Sequence, residues 1–184
     1  MRVLIVIYLL FLGVLALLAQ MVLPAHIPFL NFIGFSSALI PLVVIYASLE
    51  LGDERALLVA GFLGVLLDLA PSPHRLGISA LILCTLSALI ISQAHKPESH
   101  HWLFRLTFVL VGTFAYLVLD YLFVLVETTH WAWPLAVWSK ITFATILNLL
   151  LCPLFFVLAG LPPRLCGWKP SYEKTDRYRS YPYA

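Results

Sequence analysis

Five charged side chains next to or inside long apolar segments are the groups of this chain best placed to do chemistry. In the stretch "GFLGVLLDLAPSPHRLGISAL", Asp68 follows seven residues that are all apolar or glycine, and Arg75 comes soon after it. Asp120 lies deep in a later apolar run, which Glu127 closes, and Lys140 opens the next run. An ionisable group in such surroundings is costly unless it is paired, so it marks a catalytic acid, a ligand or partner site, or a tie between helices.

Sequence signatures of known catalytic acids, nucleophiles and metal sites are absent around these groups. Asp68 stands in "LLDL" and Asp120 in "VLDY", whereas an intramembrane aspartyl protease carries Gly-x-Gly-Asp. The chain has no Gly-x-Ser-Gly nucleophile, H-E-x-x-H zinc pattern, phosphate-binding loop or dinucleotide fingerprint. The run "HKPESHH" (residues 95–101) gathers three His and one Glu, but nothing in the pattern fixes their geometry. We therefore expect a non-catalytic protein with no metal and no cofactor.

Composition identifies the class of protein that holds these charges. Hydrophobic residues make up 62% of the 184 residues and charged residues only 11%, with a mean hydropathy of +0.98. Soluble domains are about half apolar and a quarter charged. The chain is therefore predicted to be an integral membrane protein with no separate soluble domain.

Six apolar segments are long enough to cross a bilayer as helices, which need about 20 residues each. Because unpaired backbone groups are not tolerated in lipid, we predict an all-α bundle of six transmembrane helices over residues 1–161. The predicted spans are 3–23, 32–50, 51–70, 76–94, 103–126 and 137–160. Residues 162–184 form a basic, tyrosine-rich tail that anionic membrane lipid would attract.

The distribution of Lys and Arg predicts the orientation of this bundle. An even number of spans places nine of these residues on the side of the termini and two, Arg75 and Lys140, on the other. Positive residues concentrate on the cytoplasmic side, so both termini are predicted to be cytoplasmic. Nucleic acid is not expected as a partner.

The spacing of polar residues within the spans predicts two groups of buried contacts. Asp68 is expected to pair with Arg75 or with a helix N-terminus, and Asp120 with Lys140. Polar residues share one face of the fifth span, and polar residues also share one face of the sixth span. This spacing predicts a buried polar network. Its members are Tyr116, Asp120, Glu127, Lys140 and Asn148. The sequence leaves open whether these groups tie helices together or form a ligand or partner site.

Small residues and prolines predict how the middle helices pack and end. Ala60 and Gly64, four residues apart, with Gly61 beside them, give the third span a small-residue face that permits close helix approach. Pro41 is expected to kink the second span, because it removes a backbone hydrogen bond. Pro71 and Pro73 should end the third span, and Gly77 should allow an unusual turn into the fourth.

The run from residue 40 to residue 90 resembles the core of the rod shape-determining protein MreD family. In that pattern a proline opens an apolar run that ends in an aromatic residue, and a charged turn with glycine follows. A glycine-rich span closing with Asp, a proline-containing turn, Leu-Gly and a small-residue span complete it. The matching residues are Pro41, Tyr46, Gly52, Gly61, Gly64, Asp68, Leu76, Gly77 and Ala80.

The resemblance implies a non-catalytic subunit of the bacterial cell-elongation machinery in the inner membrane. Proteins of the family bind MreC and help to organise peptidoglycan synthesis by RodA and its penicillin-binding partner, with the actin-like MreB on the cytoplasmic side. Their fold resembles the S component of energy-coupling-factor transporters. On this hypothesis a small-residue groove seats a partner helix. The partner-binding or architectural residues are then Gly61, Gly64, Asp68, Pro73, Arg75, Leu76 and Gly77.

A small-molecule-binding transporter subunit of the S-component type is the alternative. Polar groups of the outer half would then line an outward-facing pocket. They would be Asp68, Arg75, Asp120, Glu127 and Trp131.

Overall fold

The computed structural model describes residues 2–26, 39–70, 77–94, 102–128 and 135–165. Within these ranges the chain forms six α-helices and no strand. The helices are α1 (Arg2–His26), α2 (Leu39–Leu51), α3 (Glu54–Leu69), α4 (Ile78–Ala94), α5 (Trp102–Thr128) and α6 (Leu135–Leu165). Each lies on one of the six apolar segments predicted from the sequence.

The helix boundaries differ from the predicted ones at two places that the structure explains. Gly52 adopts a φ of +60° and its N–H donates to the Ser48 carbonyl over 3.1 Å, which ends α2 with a left-handed cap. The Asp53 side chain then accepts from the Arg55 N–H and begins α3. At the other end of the chain α6 continues to Leu165, so the first residues of the predicted tail are helical.

Three of the helices are long and apolar enough to cross a membrane. These stretches are Val3–Val22, Trp102–Val126 and Val137–Leu161. The apolar helices α2 and α4 are shorter, and α3, with 16 residues, carries Glu54, Arg55 and Asp68. The chain is therefore a helical membrane protein, and its helices fall into a long set (α1, α5, α6) and a short set (α2, α3, α4).

Helix α2 lies at the centre of the bundle. Every residue from Ile40 to Leu51 is buried, and α1, α3, α4, α5 and α6 all pack against this helix. A helix that is apolar all round is typical of a protein core or of a membrane span. Pro41 lies near Leu39, the first described residue of α2, and the residues before Leu39 are outside the described ranges, so the predicted kink stays a prediction.

Aromatic and hydroxyl contacts fix α2 against its neighbours. The Tyr46 ring meets Phe155 and Phe156 of α6 edge to face, with centroids 5.7 and 4.9 Å apart. The Ser48 hydroxyl of α2 and the Ser87 hydroxyl of α4 are 2.8 Å apart, and both side chains are fully buried. These contacts place the core around α2.

Large apolar side chains cover the outside of the other five helices. On α1, for example, Leu4, Ile7, Phe11, Leu15 and Leu18 are all more than half exposed. A continuous apolar surface of this kind is not found on soluble monomers. It is the surface expected of helices that face lipid.

Candidate functional site

Asp68, in the last turn of α3, binds the N-terminus of α4. One carboxylate oxygen accepts the N–H of Gly77 over 2.8 Å, and the other accepts the N–H of Ser79 over 3.1 Å. The N–H of Ala80 lies 3.4 Å from the first oxygen. First-turn N–H groups have no partner within their own helix, and the helix dipole favours an anion beside them. The helix N-terminus is thus the one of its two predicted partners that Asp68 is seen to bind; Arg75 lies outside the described residues.

Gly64 makes this contact possible, one turn before Asp68 on the same face of α3. A Cβ atom on Gly64 would lie 2.3 Å from the Ala80 Cα and 2.7 Å from the Ala80 nitrogen. Only a glycine allows the backbones of α3 and α4 to approach so closely. The close approach and the carboxylate contact therefore share one residue of α4, Ala80.

Gly61 and Gly77 also belong to the region where α3 meets α4, but both have more space around them than Gly64. A Cβ on Gly61 would meet the Cys84 sulfur at 3.4 Å, an ordinary contact with a side chain of α4. Gly77 has a φ of +103°, which side chains rarely adopt, and open space around it. The predicted small-residue face of α3 is thus covered by α4 of the same chain.

Tyr116 of α5 brings a third helix to the Asp68 site. Its side chain is 2% exposed, its hydroxyl is within hydrogen-bonding reach of Ser79, and the carboxylates of Asp120 and Asp68 act on it electrostatically. Ser79 is itself 1% exposed. Two groups that the sequence treated separately, the Asp68 turn and the polar stripe of α5, therefore meet in one polar cluster (Asp68, Ser79, Tyr116 and Asp120).

Asn148 of α6 forms the second polar contact of the interior. Its side-chain amide donates to the Thr113 hydroxyl of α5 over 3.2 Å, and both side chains are completely buried. Thr113 lies about one turn before Tyr116 on α5. The apolar interior of the bundle therefore contains polar contacts between α5 and α6 as well as between α3, α4 and α5.

The remaining predicted residues lie outside this cluster or outside the described residues. Lys140 is exposed near the start of α6, and Asp120 is half-buried and engaged in contacts, so their pairing stays a prediction. Glu127 belongs to the last turns of α5, but its side chain is outside what the structure describes. Pro73, Arg75, Leu76, Trp131 and residues 95–101 also lie outside the described ranges.

The Asp68 carboxylate is engaged by the backbone of α4. Both of its oxygens accept backbone N–H groups, and the residue is 7% exposed. These contacts satisfy first-turn N–H groups that have no partner within α4. Across the described ranges, no three His, Cys, Asp or Glu side chains come together as metal ligands would.

Sequence reasoning missed three polar contacts that the fold brings together. Ser79 was passed over, although a serine in the first turn after a glycine is a frequent N-terminal residue. The Ser48–Ser87 pair and the contact of the Gln20 side-chain oxygen with the Ile40 N–H, at 3.4 Å, were also missed. Their common signal was a small or amide side chain within an otherwise apolar span.

The sequence of the chain and its fold were compared with known proteins. No protein-family model, curated protein or solved structure matches this chain.

Proposed function

We propose that the chain is a six-span, non-catalytic subunit of the bacterial cell-elongation machinery, similar to MreD proteins. It would lie in the inner membrane with both termini in the cytoplasm and bind MreC. Through MreC it would help to organise peptidoglycan synthesis by RodA and its penicillin-binding partner. The proposal rests on the resemblance of residues 40–90.

The observation that supports the proposal is that the pattern residues have definite structural roles in α2, α3 and α4. Pro41 and Tyr46 lie in α2, and Gly52 ends this helix with its positive φ. Gly64 and Ala80 make the closest approach of α3 to α4, and Asp68 binds the Gly77 N–H. The described residues of the pattern therefore belong to one packed unit of three helices.

A six-span arrangement also agrees with the packing of the short helices. Helix α2 is buried on every side by the others, and α3 and α4 make the most extensive helix pair of the bundle. If α1, α5 and α6 cross the membrane, then α2, α3 and α4 lie within the same apolar layer. Alternating directions of six spans then place the Asp68 site at the periplasmic end.

Recognition of a single-span partner in a membrane depends on close packing and polar contacts, since lipid supplies no hydrophobic force between helices. The face of Gly61 and Gly64 is already occupied by α4. A partner helix would therefore contact an outer face of the bundle, while Asp68 and Gly64 hold that bundle in shape. Both residues are architectural in this proposal.

A transporter subunit of the S-component type would need polar groups that are available to a ligand. The carboxylate oxygens of Asp68 already accept three backbone N–H groups, and the Tyr116 hydroxyl already interacts with Ser79. These contacts favour the scaffold over the transporter.

Co-purification from the source bacterium tests the proposal. The full chain with an affinity tag is extracted in mild detergent, and bound proteins are identified by mass spectrometry. We expect MreC, and RodA with its penicillin-binding partner, to be enriched over a tagged six-span transporter expressed at the same level. A folded, monodisperse preparation that retains no elongation protein would rule the proposal out, and a tightly bound small molecule would favour the transporter.

A further inference from the structure

Within the described residues, α5 and α6 are each longer than α3 and α4 by ten residues or more. On one side α3 has 16 residues and α4 has 17, which at about 1.5 Å per residue gives about 24 and 26 Å. On the other side α5 has 27 residues and α6 has 31, or about 40 and 46 Å. The hydrocarbon core of a bilayer is about 30 Å thick.

Both short helices present apolar side chains to the outside along their length. On α3 these are Leu58, Phe62, Val65 and Leu69, exposed by 42 to 70%, and on α4 they are Leu81 and Leu89, exposed by 61 and 62%. Helices α3 and α4 are in contact from Asp68 and Gly77 to Leu57 and Cys84, and the six exposed apolar side chains of this pair are here called the short face. A surface of exposed leucine, valine and phenylalanine in a bundle of this kind is covered by acyl chains.

Polar groups limit the apolar height of the short face at its ends. Asp53 and Glu54 stand at the start of α3, and Glu54 is exposed. At the far end α3 stops at Leu69, and the polar residues Ser72, His74 and Arg75 follow in the sequence. Between Arg55 and Ala70 the helix rises by only about 22 Å. A bilayer of ordinary thickness would therefore bury charged or polar groups at one end or the other, at a considerable energetic cost.

We propose that the short face thins the bilayer beside it and binds lipids with shorter acyl chains than the face of α5 and α6 does. A membrane accommodates a short apolar segment by thinning locally. The long helices α5 and α6 accommodate the same membrane by extending into the headgroup region or tilting. The lipid layer around the protein would then be thinner beside α3 and α4 than beside α5 and α6. This inference rests on the six-span arrangement of the proposed function, but on none of its protein partners.

Two phenylalanines offer a matched pair of reporters. Phe62 lies at the middle of α3 and is 49% exposed, and Phe114 lies at the middle of α5 and is 42% exposed. Phe62→Trp and Phe114→Trp each place one added tryptophan on the lipid surface at the same relative height. The five native tryptophans are present in both variants, so the unmodified chain supplies the background to subtract.

The experiment measures the competition of lipids for each site. The purified full-length variants are reconstituted in vesicles of a brominated phosphatidylcholine, which quenches tryptophan on contact, mixed with unbrominated phosphatidylcholines that differ only in chain length. At Phe62→Trp we expect short chains to compete with the brominated lipid about threefold better than long chains. At Phe114→Trp we expect no preference for short chains.

Equal chain-length dependence at the two positions would overturn the proposal. So would a folded Phe62→Trp variant that no brominated lipid quenches, because the short face would then be covered by protein, such as a second copy of the chain. Circular dichroism and size-exclusion chromatography verify that both variants are folded. The assay contains no elongation protein, so its outcome is independent of the co-purification result.

Discussion

Among the described residues, the carboxylate of Asp68 binds backbone N–H groups of a neighbouring helix. Three N–H groups of the first turn of α4 surround its carboxylate at 2.8 to 3.4 Å. The partial positive charge at a helix N-terminus offsets the negative charge, which lowers the cost of holding the acid in an apolar layer. The acid in turn satisfies N–H groups that would otherwise be unpaired in an apolar layer.

Asp68→Ala is expected to lower the free energy of unfolding by about 2–3 kcal/mol, because it leaves the three N–H groups of α4 without an acceptor. Asp68→Asn keeps one acceptor oxygen and should lose less. Reversible unfolding in mixed micelles, followed by circular dichroism, measures both.

Asp53→Ala is the control for the Asp68 variants, since Asp53 accepts a single N–H, that of Arg55, at the half-buried start of α3. Its loss should be about 1 kcal/mol or less. Equal stability of Asp68→Ala and the unmodified protein would contradict the role assigned to the carboxylate.

Gly64→Ala is expected to destabilise the protein by about 1–3 kcal/mol, because the added Cβ would overlap the Ala80 backbone and force α3 and α4 apart. Gly61→Ala is the matched control on the same helix. Its Cβ meets only the Cys84 sulfur at 3.4 Å, and a helical alanine gains up to about 1 kcal/mol over glycine. Thermal unfolding of both variants in detergent should separate them, and similar effects would show that the helix approach is not tight at Gly64.

At the scale of helices, the bundle is held together by a few polar contacts set in large apolar surfaces. Asp68 joins α3 to α4, Ser48 and Ser87 join α2 to α4, and Asn148 and Thr113 join α5 to α6. Lipid competes equally well for apolar surface, so such contacts contribute disproportionately to which helices pair.

The contact between Thr113 and Asn148 should show energetic coupling in a double-mutant cycle. Thr113→Val and Asn148→Leu each remove one side of the hydrogen bond while keeping similar volume. We expect a coupling energy of about 0.5–1.5 kcal/mol from unfolding of the two single variants and the double variant. A coupling indistinguishable from zero would mean that the hydrogen bond does not stabilise the pairing of α5 with α6.

At the scale of the whole molecule, the central position of α2 determines the architecture. From Ile40 to Leu51 this helix is completely buried, so its described part does not face lipid. It is enclosed by helices that come both before and after it in the chain. Removal of any one of them would expose residues that are now fully buried.

Reporter fusions test the six-span orientation. Green fluorescent protein, which folds in the cytoplasm, should fluoresce at both termini, and alkaline phosphatase, which folds in the periplasm, should be active after residue 74 and after residue 132. The reasons are the even number of spans and the excess of Lys and Arg on the side of the termini. Reporters that place the two termini on opposite sides would exclude six spans.

Much of the architecture could be predicted from the sequence, because the signal is local. An apolar run of sufficient length predicts a helix wherever it occurs, and the six described helices lie on the six predicted segments. The ends of α2 and α3 were less accurate, since the left-handed turn at Gly52 and the cap at Asp53 depend on a few backbone hydrogen bonds.

The candidate site was only partly predictable. Asp68 could be singled out as an acid in need of a partner, and a helix N-terminus was one of two candidates. The contact with the α4 N-terminus required the position of α4 beside α3, which depends on the fit of Gly64 against Ala80. Tyr116 and Asp68 lie far apart in the chain, so no spacing rule could bring them to one place.

The sequence by itself thus determined that this is a helical membrane protein, where its helices lie, and which residues are out of place in lipid. Composition and segment length are enough for this, because the bilayer imposes the same demand on every residue. Only the tertiary structure decided that Asp68 serves the α4 N-terminus, that the small-residue face is occupied from within, and that one side of the bundle is short. These properties depend on which helices are neighbours, and neighbours are chosen by packing rather than by local sequence.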